Sequence, residues 1–257
     1  MAAPAPHTTA PDGSLHPDRR LPTFERDVQR MFASIADRYD TFNHLATGGQ
    51  DLWWRPRALW ALQRARGAPV RDALDFGCGT GGLARLLGVR FPGARVVAVD
   101  FSAAMVRLAS GRGPAGRRPR FAVANVLRLP FADRSFDVAA SGFVARNLRD
   151  LPAAFRELRR VLRPDGWLLT LEVSEPASAA VGRLFHAHFD HAVPLLGRAF
   201  DREGPYRYLP ESLRSFPPPD VLVGLLRDAG FPTTIRVPMT AGIVTAFLSG
   251  PALDPRR

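Results

Sequence analysis

Residues 73–82 read ALDFGCGTGG, an apolar run that breaks into a glycine-rich loop. The run Val70–Leu74 reads as a strand, and Gly82–Val89 has the spacing of a helix, so the glycines sit in a strand-to-helix turn. The same alternation continues outward. ALDFG is followed by RVVAVDFS, a helix over Ala103–Ser110, RFAVANV, FDVAASGFV, a helix over Leu151–Leu162, and GWLLTLEVS. Each strand is a nearly unbroken apolar run, which is what a parallel sheet covered by helices on both faces requires. The fold class is therefore α/β, a doubly wound, mostly parallel, Rossmann-like sheet. Two N-terminal helices precede it, Phe24–Ala36 and Trp53–Arg66.

In such sheets a ligand lies beyond the carboxyl ends of the strands. Gly77, Gly79 and Gly81 allow backbone N–H groups to approach it without a Cβ in the way. Their spacing is G-x-G-x-G with Asp75 in front, not the G-x-G-x-x-G of a dinucleotide site. A carboxylate there repels a pyrophosphate and attracts a cation. S-adenosyl-L-methionine, with an ammonium and a sulfonium, meets that requirement. Asp100 ends the second strand, where a carboxylate accepts bonds from ribose hydroxyls, a geometry that also serves NAD. Asn125 and Val126 end the third strand, with Asn125 placed for an adenine edge. A dinucleotide oxidoreductase is disfavoured by the loop spacing and by the lack of lysine, which removes any Tyr-x-x-x-Lys pair.

The chain has 257 residues, enough for one sizeable α/β unit. Its formal charge of +11 comes from 35 basic residues, all arginine. That uniformity points first to compositional bias and solvated surface, and second to an anionic partner. No compact arginine cluster interleaves with aromatics, so nucleic acid is not expected, and an anionic membrane surface is the better version of the second reading. Cys78 is the only cysteine, which excludes intrachain disulfides and fits a reducing cytoplasm. No run reaches the roughly 18 apolar residues of a membrane-spanning helix, and the amino terminus lacks an export signal pattern.

These motifs carry a family resemblance. LDFGCGTG, VDFSAAM and LPFADRSFD resemble class I S-adenosylmethionine-dependent methyltransferases, and a narrower set resembles the ubiquinone/menaquinone biosynthesis C-methyltransferase family. RYDTFN (Arg38–Asn43) is similar to that family's K-Y-D-x-M-N, ARNLRD (Ala145–Asp150) to L-R-N-x-x-D, and LEVSEP (Leu171–Pro176) to L-E-F-S-x-P. YRYLPESL (Tyr206–Leu213) is similar to Y-R-Y-L-x-E-S-I, and MTAG (Met239–Gly242) to LTxG. The resemblance implies methyl transfer to a ring carbon of a polyprenyl quinol, demethylmenaquinol first, at the inner face of the cell membrane. It implies catalytic roles for Arg146, Tyr39 and Asn147, with Arg146 stabilising a phenolate or orienting water. Cofactor contacts would come from Asp75, Gly77, Gly79, Thr80, Gly81, Asp100, Phe101, Asn125, Val126 and Gly142. Substrate contacts would come from Asn43, Arg207, Tyr208 and Phe189. The departures lie on the substrate side: F-G-L-R-N becomes Phe143-Val144-Ala145-Arg146-Asn147, Gly142 replaces a frequent Ser, and Gly204 replaces an acid. Another phenolic, quinone or lipid acceptor, or a non-catalytic subunit of the same fold, therefore stays open, as does a homodimer.

The stretch RLFHAHFDHAVPLLGRAF (Arg183–Phe200) holds His186, His188 and His191. Their spacing does not put three imidazoles on one helical face, so no metal is expected, and the segment reads either as an apolar wall of the substrate pocket, in reach of a membrane, or as plain core packing. The expected organisation is a disordered tail over 1–22, a helical lid over 23–66 and a cofactor core over 67–175. A helical substrate-covering insertion follows over 176–218, then a C-terminal helix and strands over 219–250, and a frayed tail over 251–257.

Overall fold

The computed structural model describes residues 23–112, 119–174, 176, 178–199, 208, 212–213 and 216–253. The expected tail 1–22, residues 254–257 and Arg207 lie outside the described residues.

Seven strands form one sheet: β1 (Asp72–Phe76), β2 (Arg95–Asp100), β3 (Arg120–Val123), β4 (Phe136–Gly142), β5 (Leu162–Val173), β6 (Thr233–Met239) and β7 (Val244–Gly250). Their order is β3-β2-β1-β4-β5-β7-β6, with the first five parallel and β7 antiparallel to both of its neighbours. The chain order reverses between β1 and β4, so the carboxyl end of β1 opens beside a crevice.

Alternate side chains of these apolar strands feed two cores. Ala73, Val138, Ala140, Leu169 and Leu171 face one core, and Leu74, Phe76, Ala139, Leu168 and Phe247 face the other. The first core is covered by α3 (Asp51–Arg66) and α4 (Gly82–Arg90), through Leu59, Leu62 and Leu87. The second is covered by α6 (Leu151–Val161) and by α9 (Pro219–Asp228), through Phe155, Leu158 and Leu222. Each fully buried side chain of this size contributes roughly 2 kcal/mol. Helix starts follow local chemistry. Asp150 Oδ1 accepts from the Ala153 amide at 2.9 Å with Pro152 in the first turn, and Ser102 caps α5 (Ala103–Gly111).

The first strand ends two residues later than its apolar run suggests. Asp75 pairs with Ala98 on one side and Ala140 on the other, so a central ladder carries the carboxylate inside the strand end. In β5, Leu162 pairs with Phe136 but Trp167 with Val138, so residues 163–166 stand out of register. Beside this irregularity, a Cβ on Gly250 would lie 2.5 Å from the buried Trp167 indole. Gly250→Ala is expected to cost about 2–3 kcal/mol by overpacking. Denaturant unfolding, with the midpoint falling at an unchanged slope, is the check.

Before the sheet come α1 (Phe24–Ile35) and α2 (Tyr39–Ala46). Phe24, Val28 and Met31 of α1 pack with Tyr208, and Ile35 and Phe42 pack with Val193 of α8 (Val193–Ala199). α7 (Ala179–Ala187) runs into α8 through a wider turn over His188–Ala192. These helices lie over the carboxyl ends of the strands.

Candidate active site

The glycine loop is shaped by conformations that only glycine takes cheaply. Gly77, Gly79 and Gly81 have φ of 65°, 53° and 81°. A Cβ on Gly77 would sit 2.6 Å from both methyls of Val144, so the loop and the β4–α6 connection pack backbone against side chain there. The Gly79 amide donates to Asp100 Oδ2 at 2.9 Å, and the Ser102 amide donates to Asp100 Oδ1 at 2.8 Å. Two strand ends are thereby tied together. Burial raises the Asp100 carboxyl above its ordinary range, and these two amides offset part of that rise.

Asp75 is 1 % exposed, and neither of its oxygens has a hydrogen-bond partner. Desolvation, and then the charge of Asp100, push its carboxyl up to about 8; Arg55, the Ala84 amide, which approaches outside hydrogen-bond geometry, and Arg85 pull the other way. A buried carboxyl with no partner is costly, so it marks a place that a cationic ligand would complete.

Two cavities meet at these strand ends. One, of about 80 Å³, is lined by Gly77, Gly79, Asp100, Phe101, Asn125, Val126, Gly142 and Asn147, and by Glu25 and Phe32 of α1. The other, of about 480 Å³, is lined by Asn43, Asp51, Trp54, Arg55, Arg146, Phe185, His188, Phe189 and Val193 among others. Tyr39 and Phe143 line both and so form the partition between them. Phe143 holds φ at 64° although it is not glycine, a strained conformation where the chain turns out of β4.

The expected site residues fall as follows. Gly77, Gly79, Asp100, Phe101, Asn125, Val126 and Gly142 converge on the smaller cavity, with Asp75 buried at the end of β1. Asn125 is also engaged locally: its Oδ1 accepts from the Leu127 amide at 2.9 Å, and its Nδ2 donates to Glu25 at 3.5 Å. Thr80 and Gly81 do not line that cavity. Thr80 Oγ1 donates to Asp40 of α2 at 2.8 Å, Asp40 also pairs with Arg112, and Gly81 precedes α4 with the Phe121 ring where its Cβ would be. Arg146, Asn43 and Phe189 line the larger cavity, whereas Asn147 lines the smaller one and donates to the Phe143 carbonyl at 3.3 Å. Tyr208 is packed inside the α1 cluster, beside Phe101.

Other contributors are invisible in the linear motifs. Glu172 Oε1 accepts from the Val144 and Ala145 amides at 3.0 and 2.8 Å, fixing the short turn Ala145–Asn147 that carries Arg146. Trp54 Nε1 donates to Thr240 Oγ1 at 2.8 Å, and that hydroxyl donates to Gln50 at 2.7 Å, joining α3 to the β6–β7 turn. Gln29 Nε2 donates to the Phe101 carbonyl at 2.6 Å and closes α1 over the smaller cavity. Among the described residues no three His, Cys, Asp or Glu side chains gather as metal ligands.

The ubiE/COQ5 methyltransferase family model matches residues 21–250. The chain belongs to this family. It is 43% identical over 204 residues to the demethylmenaquinone methyltransferase of Thermus thermophilus, covering 78% of this chain and 91% of that one. It is 33% identical to a ubiquinone/menaquinone biosynthesis C-methyltransferase from Geotalea uraniireducens, with 86% and 94% covered. Solved structures show the same fold. An S-adenosylmethionine-dependent methyltransferase of Thermotoga maritima superposes with a TM-score of 0.61 at 18% identity, covering 86% of this chain and 98% of that one. Human N-acetylserotonin methyltransferase, solved with S-adenosylmethionine, gives 0.59 at 15% identity, with 87% and 59% covered.

As a ubiE/COQ5 family member the protein is a methyltransferase that uses S-adenosylmethionine. Its residues fit that cofactor: the partnerless oxygens of Asp75 suit a cation, the Gly77 position leaves no room for a Cβ, and Asp100 stands at the end of the neighbouring strand.

Proposed function

We propose that the protein methylates a ring carbon of a polyprenyl quinol, demethylmenaquinol being the first candidate. The observation that carries the reading is the second cavity. It adjoins the cofactor cleft through Tyr39 and Phe143, its wall holds Arg146, and much of the rest is apolar, including Leu45, Val173, Phe185, Phe189 and Val244. The names of the relatives support the same acceptor class.

When bound, the cofactor supplies an electrophilic methyl group. The protein's own task is to make a ring carbon nucleophilic and hold it in line, within about 3 to 3.5 Å of that methyl. Arg146 serves the first need, because a guanidinium favours the phenolate form of the ring. Arg is never the base, since it stays protonated. Tyr39 and Phe143 serve the second as the partition between donor and acceptor. In this reading residues 23–66 form the lid, 67–175 the cofactor core and 176–218 the cover, with Asn43 and Phe189 against the substrate.

The mouth of the larger cavity suits a membrane. Leu45 and Leu184 line it and are exposed, and Leu52 and Trp53 are exposed nearby on α3. On the same helix Arg57 stacks on Trp53 at 5.2 Å and Arg64 on Trp60 at 4.9 Å, a pairing suited to an anionic headgroup layer. No helix among the described residues is long and apolar enough to span a bilayer. The reading is peripheral contact from the cytoplasmic side.

The test uses purified protein, methyl-labelled S-adenosylmethionine and short-tailed demethylmenaquinol, in detergent and in vesicles with or without phosphatidylglycerol. Labelled menaquinol in the extracted lipid is expected, with faster turnover on anionic vesicles. Tight cofactor binding with no labelled quinone would sink the acceptor.

A further inference from the structure

We propose that Asp51 is the proton acceptor for the substrate hydroxyl, a role that rests on the quinol reading. Asp51 is the first residue of α3 and 2 % exposed, and it is the one carboxylate among the described residues lining the larger cavity. Its Oδ2 lies 2.6 Å from His44 Nδ1 and 3.3 Å from an Arg55 nitrogen, and its Oδ1 accepts from Thr47 Oγ1 at 3.1 Å. Three groups from α2, α3 and the turn between them therefore hold one carboxylate at the wall of an otherwise largely apolar chamber.

An ionised carboxylate has about four lone-pair sites, so these contacts leave room for one more donor. A quinol hydroxyl entering the chamber is such a donor. The other cavity-lining groups are poorer acceptors. Arg55 and Arg146 stay protonated, and His188, whose Nε2 donates to the Ala46 carbonyl at 2.8 Å and which keeps Nδ1 as an acceptor, is exposed to solvent whereas Asp51 is buried.

The charge arithmetic favours Asp51. Moving the hydroxyl proton to it turns a carboxylate and a neutral phenol into a neutral acid and a phenolate, so the chamber's net charge does not change. Arg55 pairs with Asp51 and Arg146 lines the same chamber, so the negative charge stays in a chamber that holds two guanidinium groups before and after. No new charge has to be created in apolar surroundings, which is the expensive alternative. The bonds balance as follows. The O–H bond breaks and its proton goes to Asp51, and the ring carbon takes the methyl while the C–S electron pair stays on sulfur. The ring hydrogen then leaves as a proton to water, and Asp51 returns its proton to the oxygen. One proton is released for each methyl transferred. His44 and Thr47 are positioning residues in this scheme.

The probe is 4-methoxy-1-naphthol, a redox-stable stand-in for the quinol ring whose naphtholate absorbs at longer wavelength than the naphthol. Bound to the wild-type protein it is expected to show the naphtholate band, and bound to Asp51→Asn to lose it, while S-adenosylhomocysteine affinity stays within about twofold. Turnover of the quinol is expected to fall about a hundredfold in Asp51→Asn. A fluorinated naphthol with a more acidic hydroxyl should recover much of that loss, because it needs the acceptor less, which a merely structural defect would not permit. Persistence of the naphtholate band in Asp51→Asn, or an equal loss with both acceptors, would overturn the proposal. A wild-type protein that binds cofactor but takes up neither naphthol nor quinol removes the quinol reading and this inference together.

Discussion

Asp75→Asn is expected to stabilise the ligand-free protein at alkaline pH and to weaken cofactor binding about 10²- to 10³-fold, as loss of a buried charge partner does. The wild-type carboxyl titrates at about 8 when folded, against an ordinary value of 3.8, because burial and Asp100 disfavour its charge. The folded protein therefore holds this proton more tightly than the unfolded chain. Below the unfolded pKa both states are protonated and the group costs nothing. As pH rises toward 8 only the unfolded chain gives up its proton, so stability falls, and above that the full cost is on the order of 5 kcal/mol. Asparagine cannot ionise and escapes it. Urea unfolding of the two proteins at about pH 5 and pH 9 should show a gap that widens with pH. The same titration governs binding. Near neutral pH a cation entering beside Asp75 expels its proton, so affinity should rise with pH up to about 8, with proton release visible by calorimetry in buffers of different ionisation heat. Affinity independent of pH in the wild type would mean that Asp75 does not hold the cation.

That pair of effects explains why this part of the site is legible in the sequence. An aspartate and three glycines in a strand-to-helix turn break two local rules at once, a buried charge and a run of residues poor in helix and strand propensity, and sequences keep such breaches where a ligand compensates them. Asp100 and Asn125 are legible for a related reason, since each ends an apolar run. The strand count of the parallel half follows from the same alternation. What local pattern misses depends on distant chain. Nothing near Trp54 announces that its indole will meet Thr240, 186 residues away. The cavity-facing side of α3 is equally hidden. Leu52, Trp53 and Trp60 are exposed while Trp54, Leu59 and Leu62 are buried, so its apolar residues circle the helix and mark no single face. Asp51 and Arg55 escape notice with it. The end of β1 is missed because Asp75 looks like a loop residue until both neighbouring strands claim its backbone.

Arg146→Ala is expected to lower kcat for quinol methylation about 10³-fold while leaving cofactor affinity within about twofold of wild type. The geometry separates these effects. The turn Ala145–Asn147 sends Arg146 to the larger cavity and Asn147 to the smaller, so consecutive residues address acceptor and donor. The turn is set by the Phe143 bend at φ 64° and by Glu172 holding the Val144 and Ala145 amides. Removing the guanidinium is expected to leave the cofactor cleft built and to deprive the ring oxygen of a cation when its negative charge is greatest. A ground-state anchor would behave differently, because its loss raises KM with kcat intact. Arg146→Lys refines the test. It keeps the charge but loses the planar fork, and a loss of about tenfold would show that charge does most of the work, whereas a loss equal to that of alanine would show that two-point contact with the oxygen and its neighbour is required. If Arg146→Ala keeps kcat, the phenolate is stabilised by Arg55, the other guanidinium of the same chamber, and the partition at Phe143 would have to be read from the α3 side.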